Sequence, residues 1–434
     1  MLTPEDLEKI ESKVKIKLSF INLYVTGRVI QEMERTFKEL SGASAAFTTK
    51  EMKSAAKLME DIRSEVKKQS PKIDKEIRQA FYDAAGKINY ENEQFTEKMA
   101  KQINETTGSE IKVPSVPTGD QPIKKLDDLK LTPKEKKLLE SAYQRTTGEI
   151  VNLTKTMPLS GQNTYIEACN TAYTQIQSGV DPNTAIVNAI KDVSSKGITT
   201  VAYNSRNDSV EVAIARAVRT GVNQASCDIS LARCNELGAN FVRVSQHFGA
   251  RVTPFDDYTN HSWWQGKVYH LDWKNSALSK YDTSDAERSE IDKKNRYINE
   301  VNDALTMLSE EFNKYSDFVN TCGYGKIQGI AGINCRHSFA PFYPGISIQT
   351  EKPLNNAENK KRYEETQHQR AIERAIRKLK KEKKALDSAS NDSDEMKAAK
   401  ADVKRRLNAK ASEYEYYCKK NNLPRQNWRI SIGN

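Results

Sequence analysis

The sequence contains no run of about eighteen apolar residues, so no helix is expected to cross a membrane. Its first residues, Met1-Leu-Thr-Pro-Glu-Asp, are not a cationic stretch followed by an apolar one. No secretory signal is therefore expected, and the chain is expected to be made and kept in the cytosol or packaged there. Cysteine is scarce: six residues, at 169, 227, 234, 322, 335 and 418, form no dense even framework, and disulfides are not expected. Enzyme signatures are missing too, with no G-x-S-x-G, no H-E-x-x-H and no G-x-x-x-x-G-K-[ST]. The glycines at 323, 325, 329 and 332 miss the dinucleotide-binding spacing, and a charged helical pattern rather than a strand precedes them.

What is present is polar and long. A chain of 434 residues exceeds what one core usually serves, so two or three domains are expected. With 37% hydrophobic and 29% charged residues it reads as solvated or partner-facing helices rather than one compact ball. The net charge of +10 is uneven: residues 351–434 hold 22 Lys/Arg against 13 Asp/Glu, a balance of +9. The basic character belongs to the C-terminal arm.

The expected fold is mainly α with a central α+β domain, a long helical N-terminal region and a C-terminal helical hairpin. Thr3-Pro4-Glu5-Asp6 starts a helix to about Leu40, with Thr as N-cap, Pro at the first turn and acids where the dipole favours them. Charged helical segments follow at about 49–69 and 72–106, and these make 1–112 the N-terminal region. Three prolines and a glycine in Val113-Pro-Ser-Val-Pro-Thr-Gly-Asp-Gln-Pro122 place a linker at 113–123. The central domain spans 124–347. Thr132-Pro133 begins a helix to about Thr147. Asp181-Pro182 caps another, whose Ala185, Ile186, Ala189, Ile190 and Val193 stripe ends at Gly197. A third runs from about Ser209 to Leu237. Phe241–Ser245 and Lys267–Leu271 read as short strands, and 284–318 as a charged helical insertion. Residues 348–434 form the basic hairpin. Ile372, Ala375, Leu379 and Leu386 on one arm face Met396, Ala399, Val403, Leu407, Ala411 and Tyr414 on the other, with the turn at 388–393.

Between Gly221 and Gly345 lie four of the five His, four of the six Cys, three of the four Trp and nine of the nineteen Gly. Three strings carry them: His247–Arg251, His261–Tyr269 and Gly323–His337. Cys227 and Cys234, seven apart on one helix face, are about 10 Å apart along the axis and cannot share one ion or a disulfide. They read as core thiols. Cys335 and His337, one residue apart, point to the same side if extended, and with His247 or His261 they are zinc candidates. No C-x2-C or H-x3-H pair supports them, so the expectation is no cofactor, with the histidines donating ring N–H groups to backbone carbonyls and zinc the lesser alternative. Arg251 and Arg336 are read as multiply bonded guanidinium groups that hold loops. Trp263, Trp264 and Trp273 are read as filling the core or an interface.

Taken in order, these strings resemble the minor capsid protein 2 family of tailed bacteriophages, which is distantly similar to head-morphogenesis proteins of the phage Mu F kind. Upstream, Gln162-Asn163 before a helix, Gly179-Val180-Asp181, Ala189-Ile190, Lys196-Gly197-Ile198, Tyr203-Asn204 and Val218-Arg-Thr-Gly-Val-Asn-Gln224 fit its pattern. Val244-Ser-Gln-His-Phe-Gly-Ala-Arg251, Trp264-Gln-Gly-Lys-Val-Tyr269 and Gly332-Ile-Asn-Cys-Arg-His-Ser338 complete it. The likeness covers about 150–347. The chain departs from it in the length of 284–318 and in Val252, where the family usually has Pro.

The resemblance implies a structural minor capsid protein, not an enzyme, in the virion near the portal vertex and assembled in the host bacterial cytoplasm. Its implied partners are the portal protein, the major capsid protein and packaged double-stranded DNA, with no membrane and no small-molecule substrate. The family-motif residues are Arg219, Gly221, Asn223, Gln224, His247, Gly249, Ala250, Arg251, His261, Trp264, Gln265, Gly266, Gly332, Asn334, Cys335, Arg336 and His337, read as fold-fixing. Candidates for DNA contact are Arg374, Arg377, Lys378, Lys381, Lys384, Lys404, Arg405 and Arg406, since a basic arm neutralises phosphates without reading bases. The alternatives are a nucleic-acid-binding accessory protein, or an enzyme-like central domain, zinc-dependent or a transferase.

Overall fold

The computed structural model describes residues 2–38, 44–107, 126–129, 131–198, 209–236, 238–281, 314–344, 347, 352 and 354–432. Helices dominate. The first, α1 (Pro4–Lys38), begins with a reciprocal cap: Thr3 N–H donates to Asp6 Oδ2 at 2.9 Å and Asp6 N–H to Thr3 Oγ1 at 3.2 Å. The same Thr-Pro-x-acid logic opens α3 (Pro133–Lys155), where Thr132 and Glu135 exchange bonds of 2.8 and 3.2 Å. α5 (Pro182–Lys196) is capped by Asp181, which accepts from Thr184 N–H at 2.9 Å, and Gly197 ends it at φ 65°.

Some expectations change. The segments 49–69 and 72–106 are one helix, α2 (Ser44–Thr107), which passes through Pro71. Proline removes one backbone bond, and the exposed position leaves its ring free of packing partners to displace. Ser70 turns its hydroxyl back onto the Val66 carbonyl at 2.7 Å, one residue before the Lys67 carbonyl that Pro71 leaves without its helical donor. α3 runs eight residues past Thr147, to Lys155. Gln162 and Asn163 lie inside α4 (Met157–Gln177) rather than before a helix. The linker 113–123 and residues 284–313 of the expected insertion lie outside the described residues.

Two compact units are assembled from discontinuous stretches: Met1–Glu11 with Ile77–Thr146 and Val218–Glu364, and Ser12–Glu76 with Thr147–Ala217 and Glu365–Asn434. The sequence blocks 1–112, 124–347 and 348–434 do not coincide with them, and each contributes to both. Unit boundaries fall inside helices rather than in loops.

In the first unit, α6 (Val210–Glu236) leads into β1 (Phe241–Val244). β1 pairs antiparallel with β2 (Val268–His270) and β3 (Phe339–Phe342), in the order β2-β1-β3. Between β1 and β2 lies the short α7 (His261–Trp264), and before β3 lies α8 (Phe318–Cys322). The core joins Cys227, Leu231 and Cys234 of α6 to Val242, Val244, Trp264, Tyr269, Phe318 and Phe339, with Trp263 and Trp273 packed against it. Cys227 and Cys234 are thus buried core thiols, as their spacing predicts.

The second unit contains α4 packed on α5, and the pair α9 (Asn356–Ser388) and α10 (Asp394–Lys420), of which α9 enters from Glu365 onward. Ile372, Leu379, Leu386, Met396, Ala399, Val403 and Tyr414 are buried as expected, whereas Ala411 is exposed and Ile376 and Cys418 take core places. Tyr414 Oη donates to Glu373 at 2.8 Å and accepts from Gln426 N–H at 2.9 Å, so the end of the chain folds back on the pair.

Candidate functional site: a histidine and cysteine loop cluster

The three strings meet in the first unit because β1 and β3 are neighbours. The loop leaving β1 holds His247–Arg251, and the loop entering β3 holds Gly323–Ser338. They are clamped at the strand ends: Ser245 N–H donates to the Ser338 carbonyl at 2.8 Å and Ser338 N–H to Ser245 Oγ at 3.0 Å. α7 supplies His261 and Trp264 between them.

Arg251 links the loops. Its Nη1 donates to the Gln328 carbonyl at 3.0 Å and its Nη2 to the Ile333 carbonyl at 2.9 Å. His261 Nε2 meets the same Gln328 carbonyl at 2.8 Å. A carbonyl only accepts, so His261 carries its proton on Nε2 and its lone pair on Nδ1. Gln265 does the same for His337: its Oε1 accepts from His247 N–H at 3.0 Å and lies 3.2 Å from His337 Nε2. His337 Nδ1 is then the lone-pair nitrogen, and it faces Cys335 Sγ at 3.7 Å. His247 Nδ1 lies 3.1 Å from the Phe248 carbonyl, which places its own lone pair on Nε2.

The rings pack closely. His247 stacks on His337 with centroids 4.3 Å apart, Trp264 meets His337 edge-on at 4.7 Å, and His261 lies 4.6 Å from Trp264. Burial keeps His261, His337 and Cys335 uncharged. It pushes His261 down to about 3, against the pull of the Gln328 carbonyl. It holds His337 well below the ordinary histidine value, helped by nearby His247 and His261, and it pushes the Cys335 thiol up to about 11.

The remaining motif residues brace this loop pair. Arg219 donates to Glu11 Oε2 at 2.5 Å and to Asn334 Oδ1 at 2.9 Å, and Asn223 Nδ2 donates to the Cys335 carbonyl at 3.2 Å. Arg336 pairs with Glu8 at 2.6 Å. Trp264 Nε1 donates to the Tyr258 carbonyl at 3.0 Å. At Gly221 an added Cβ would lie 1.9 Å from Thr146 Oγ1, so glycine permits that helix contact. Gly266 has φ +72°, with Gln246 Oε1 2.5 Å from where a Cβ would stand. Gln224 lines an open cleft with Arg145, Asp228, Lys280 and Tyr324. Asn359 went unforeseen: fully buried in the first turn of α9, it accepts from Gly249 N–H at 2.9 Å and Ala250 N–H at 3.3 Å. An asparagine near the start of a charged helix gave no period or motif to flag it.

Because one guanidinium spans two carbonyls, Arg251→Lys is expected to cost about 2 kcal/mol, the loss of one charged hydrogen bond. Urea denaturation of the two proteins measures it; an unchanged midpoint would mean the loops do not depend on that bridge.

The basic candidates all lie in the second unit and divide into two groups. Lys381 is committed to Glu211, Arg377 donates to the Arg429 carbonyl at 2.8 Å, and Arg406 contacts Glu382 and Asp402. Arg374, Lys378, Lys384 and Lys404 are exposed, as is Arg405, which pairs with Asp402 at 2.7 Å.

The described chain is mainly helical, with a small sheet whose loops are locked by arginine, histidine and asparagine. The chain matches the family model described as Phage minor capsid protein 2 over residues 3–412, and it belongs to that family. The match reaches beyond 150–347 into both the N-terminal region and the hairpin. It is 34% identical over 90 residues to a structural protein of Lactococcus phage mv4, covering 21% of this chain and 73% of that relative. It is 35% identical over 80 residues to a structural protein of Lactococcus phage LL-H, covering 18% of this chain but only 22% of that relative's length. No solved structure matches the chain. Membership makes it a structural protein of a phage particle. Among the described residues, no helix is long and apolar enough to cross a membrane.

Proposed function

We propose that this minor capsid protein is a non-enzymatic assembly component at the portal vertex of a tailed-phage head, touching portal and major capsid proteins and lying beside packaged double-stranded DNA. The observation that carries the non-enzymatic part is where the motif side chains end. Arg219, Arg251, Arg336, Asn223 and Gln265 finish on backbone groups and side chains of this same unit, so they hold loops rather than face a substrate. Family membership supports the head location, and the exposed cations of α9 and α10 support the DNA contact.

Co-expression with the phage's portal protein is expected to give a complex that survives size exclusion. A virion reconstruction in which this chain makes no portal contact overturns the reading. For DNA, each neutralised phosphate contributes a slope of about −0.9 in log affinity against log salt, so four exposed cations give at most about −4. Replacing Arg374, Lys378, Lys384 and Lys404 together by Gln is expected to flatten that slope, and salt-insensitive binding counts against DNA contact.

A further inference from the structure

We propose that His261, Cys335 and His337 form a buried binding site for one divalent ion of the zinc class, which ties the loop of β1, α7 and the loop of β3 into one piece. The sequence left this as the lesser alternative because no paired-ligand spacing announces it. Folding supplies what spacing does not: one ring nitrogen from each histidine and Cys335 Sγ all lie within 4.8 Å of one another, and all three residues are buried.

Three features fit that ion. The first is distance. Bonds of about 2.0–2.3 Å in a tetrahedron put ligand atoms roughly 3.5 Å apart, and Cys335 Sγ already stands 3.7 Å from His337 Nδ1. The His261 ring nitrogen lies within 4.8 Å of the other two ligand atoms, so it needs to approach by up to about 1.3 Å on the same estimate, a side-chain adjustment. The second is tautomer. Both histidines have Nε2 on an oxygen acceptor, the Gln328 carbonyl and Gln265 Oε1, so both offer Nδ1 lone pairs. An outer carbonyl or amide that fixes the ring's other nitrogen is the usual companion of a metal-bound imidazole. The third is donor softness. Two imidazoles and one thiolate select zinc-class ions over magnesium or calcium, which take oxygen.

On binding, the Cys335 thiol gives its proton to solvent and both imidazoles bind neutral, so one proton leaves for each ion taken up. The rival reading needs no ion: the Cys335 S–H simply donates to His337 Nδ1.

The test uses the full chain, purified without a metal-affinity step. Metal analysis is expected to find about one zinc per chain, and chelation to lower the thermal midpoint. Replacing zinc by cobalt(II) is expected to give a thiolate-to-cobalt charge-transfer band that Cys335→Ser abolishes and Cys418→Ser, a buried thiol of the other unit, leaves intact. Gln265→Leu, which removes the outer acceptor shared by His337 and the His247 N–H but keeps all three ligands, is expected to weaken zinc binding about 10- to 100-fold. A metal-free protein whose melting ignores added zinc, with no charge-transfer band in the wild type, overturns the site. That wild-type reading decides the matter even where Cys335→Ser fails to fold.

Discussion

Lys381→Met is expected to destabilise the second unit by about 3–5 kcal/mol, although it lies in a helix that reads as a solvated basic arm. Its partner is Glu211 in the first turn of α6, a buried carboxylate. Lys381 Nζ bonds Oε1, while Ser19 Oγ at 3.2 Å and Asn22 Nδ2 at 3.5 Å donate to Oε2. Burial alone would raise the Glu211 pKa. Lys381, with Lys15 and Arg377 behind it, outweighs burial and holds the carboxyl below its ordinary value. The lysine is therefore what permits the charge to be buried. Removing it leaves an uncompensated carboxylate, and that penalty, rather than the worth of the pair, sets the magnitude.

The pH dependence follows from that direction. With the folded pKa depressed, the wild-type contribution is fully present above about pH 4.5, the unfolded value, and is lost as pH falls through the folded one. In Lys381→Met the shift is expected to reverse, since burial then dominates. The variant's deficit should shrink on acidification as Glu211 takes up a proton. Glu211→Gln in the same chain should recover most of the loss, because an amide needs no counter-charge. Urea titrations at pH 7 and pH 5 measure both. A neutral Lys381→Met would show that water reaches the carboxylate and that Lys381 remains available for phosphate.

Sequence position alone cannot separate Lys381 from Lys378 or Lys384: all three are lysines in one charged helix, and only the fold sets one against Glu211, 170 residues away. What was legible is local. Thr3, Thr132, Asp181 and Gly197 announce helix ends because capping is chemistry between near neighbours. β1 and β2 show as short β-rich runs. β3 does not, since Phe339-Ala-Pro-Phe342 holds a proline that cannot donate, tolerated because β3 is an edge of the sheet. At the site, the motif residues could be named from their strings, and their convergence follows from strand pairing. Partners such as Asn359 to Gly249, or Gln265 to His337, are tertiary and carry no spacing signal.

Gly329→Ala is expected to be as damaging as any single methyl group added to this chain, at about 3 kcal/mol or more. An added Cβ would lie 2.0 Å from the Gly323 carbonyl oxygen and 2.8 Å from that of Cys322, so the obstacle is backbone rather than a side chain that can swing aside. Nor is that backbone free to move: Ile330 N–H donates to the Cys322 carbonyl at 2.8 Å, and Lys326 N–H to the Gly323 carbonyl at 3.0 Å. Gly332 is held in the same way, with the Ile327 carbonyl oxygen 2.3 Å from its added Cβ. Two controls isolate the cause. Gly325, at φ +85° with nothing within 4 Å, should cost only the left-handed strain of about 1–2 kcal/mol on substitution by Ala. Gly148, inside α3 with open space around it, should stabilise by about 0.5–1 kcal/mol. The order Gly329, Gly325, Gly148 is checked by denaturation of the three alanine variants. The readout reaches the site as well, since the Gln328 carbonyl that fixes both His261 and Arg251 is the residue before Gly329. Hydrogen exchange of Cys335 N–H, bonded to the Gly332 carbonyl at 3.1 Å, should quicken in Gly329→Ala and stay slow in Gly325→Ala. Equal protection in both would mean that the loop yields without releasing the histidine cluster, and that crowding at Gly329 is relieved by a backbone shift the bonded turns do not permit in this structure.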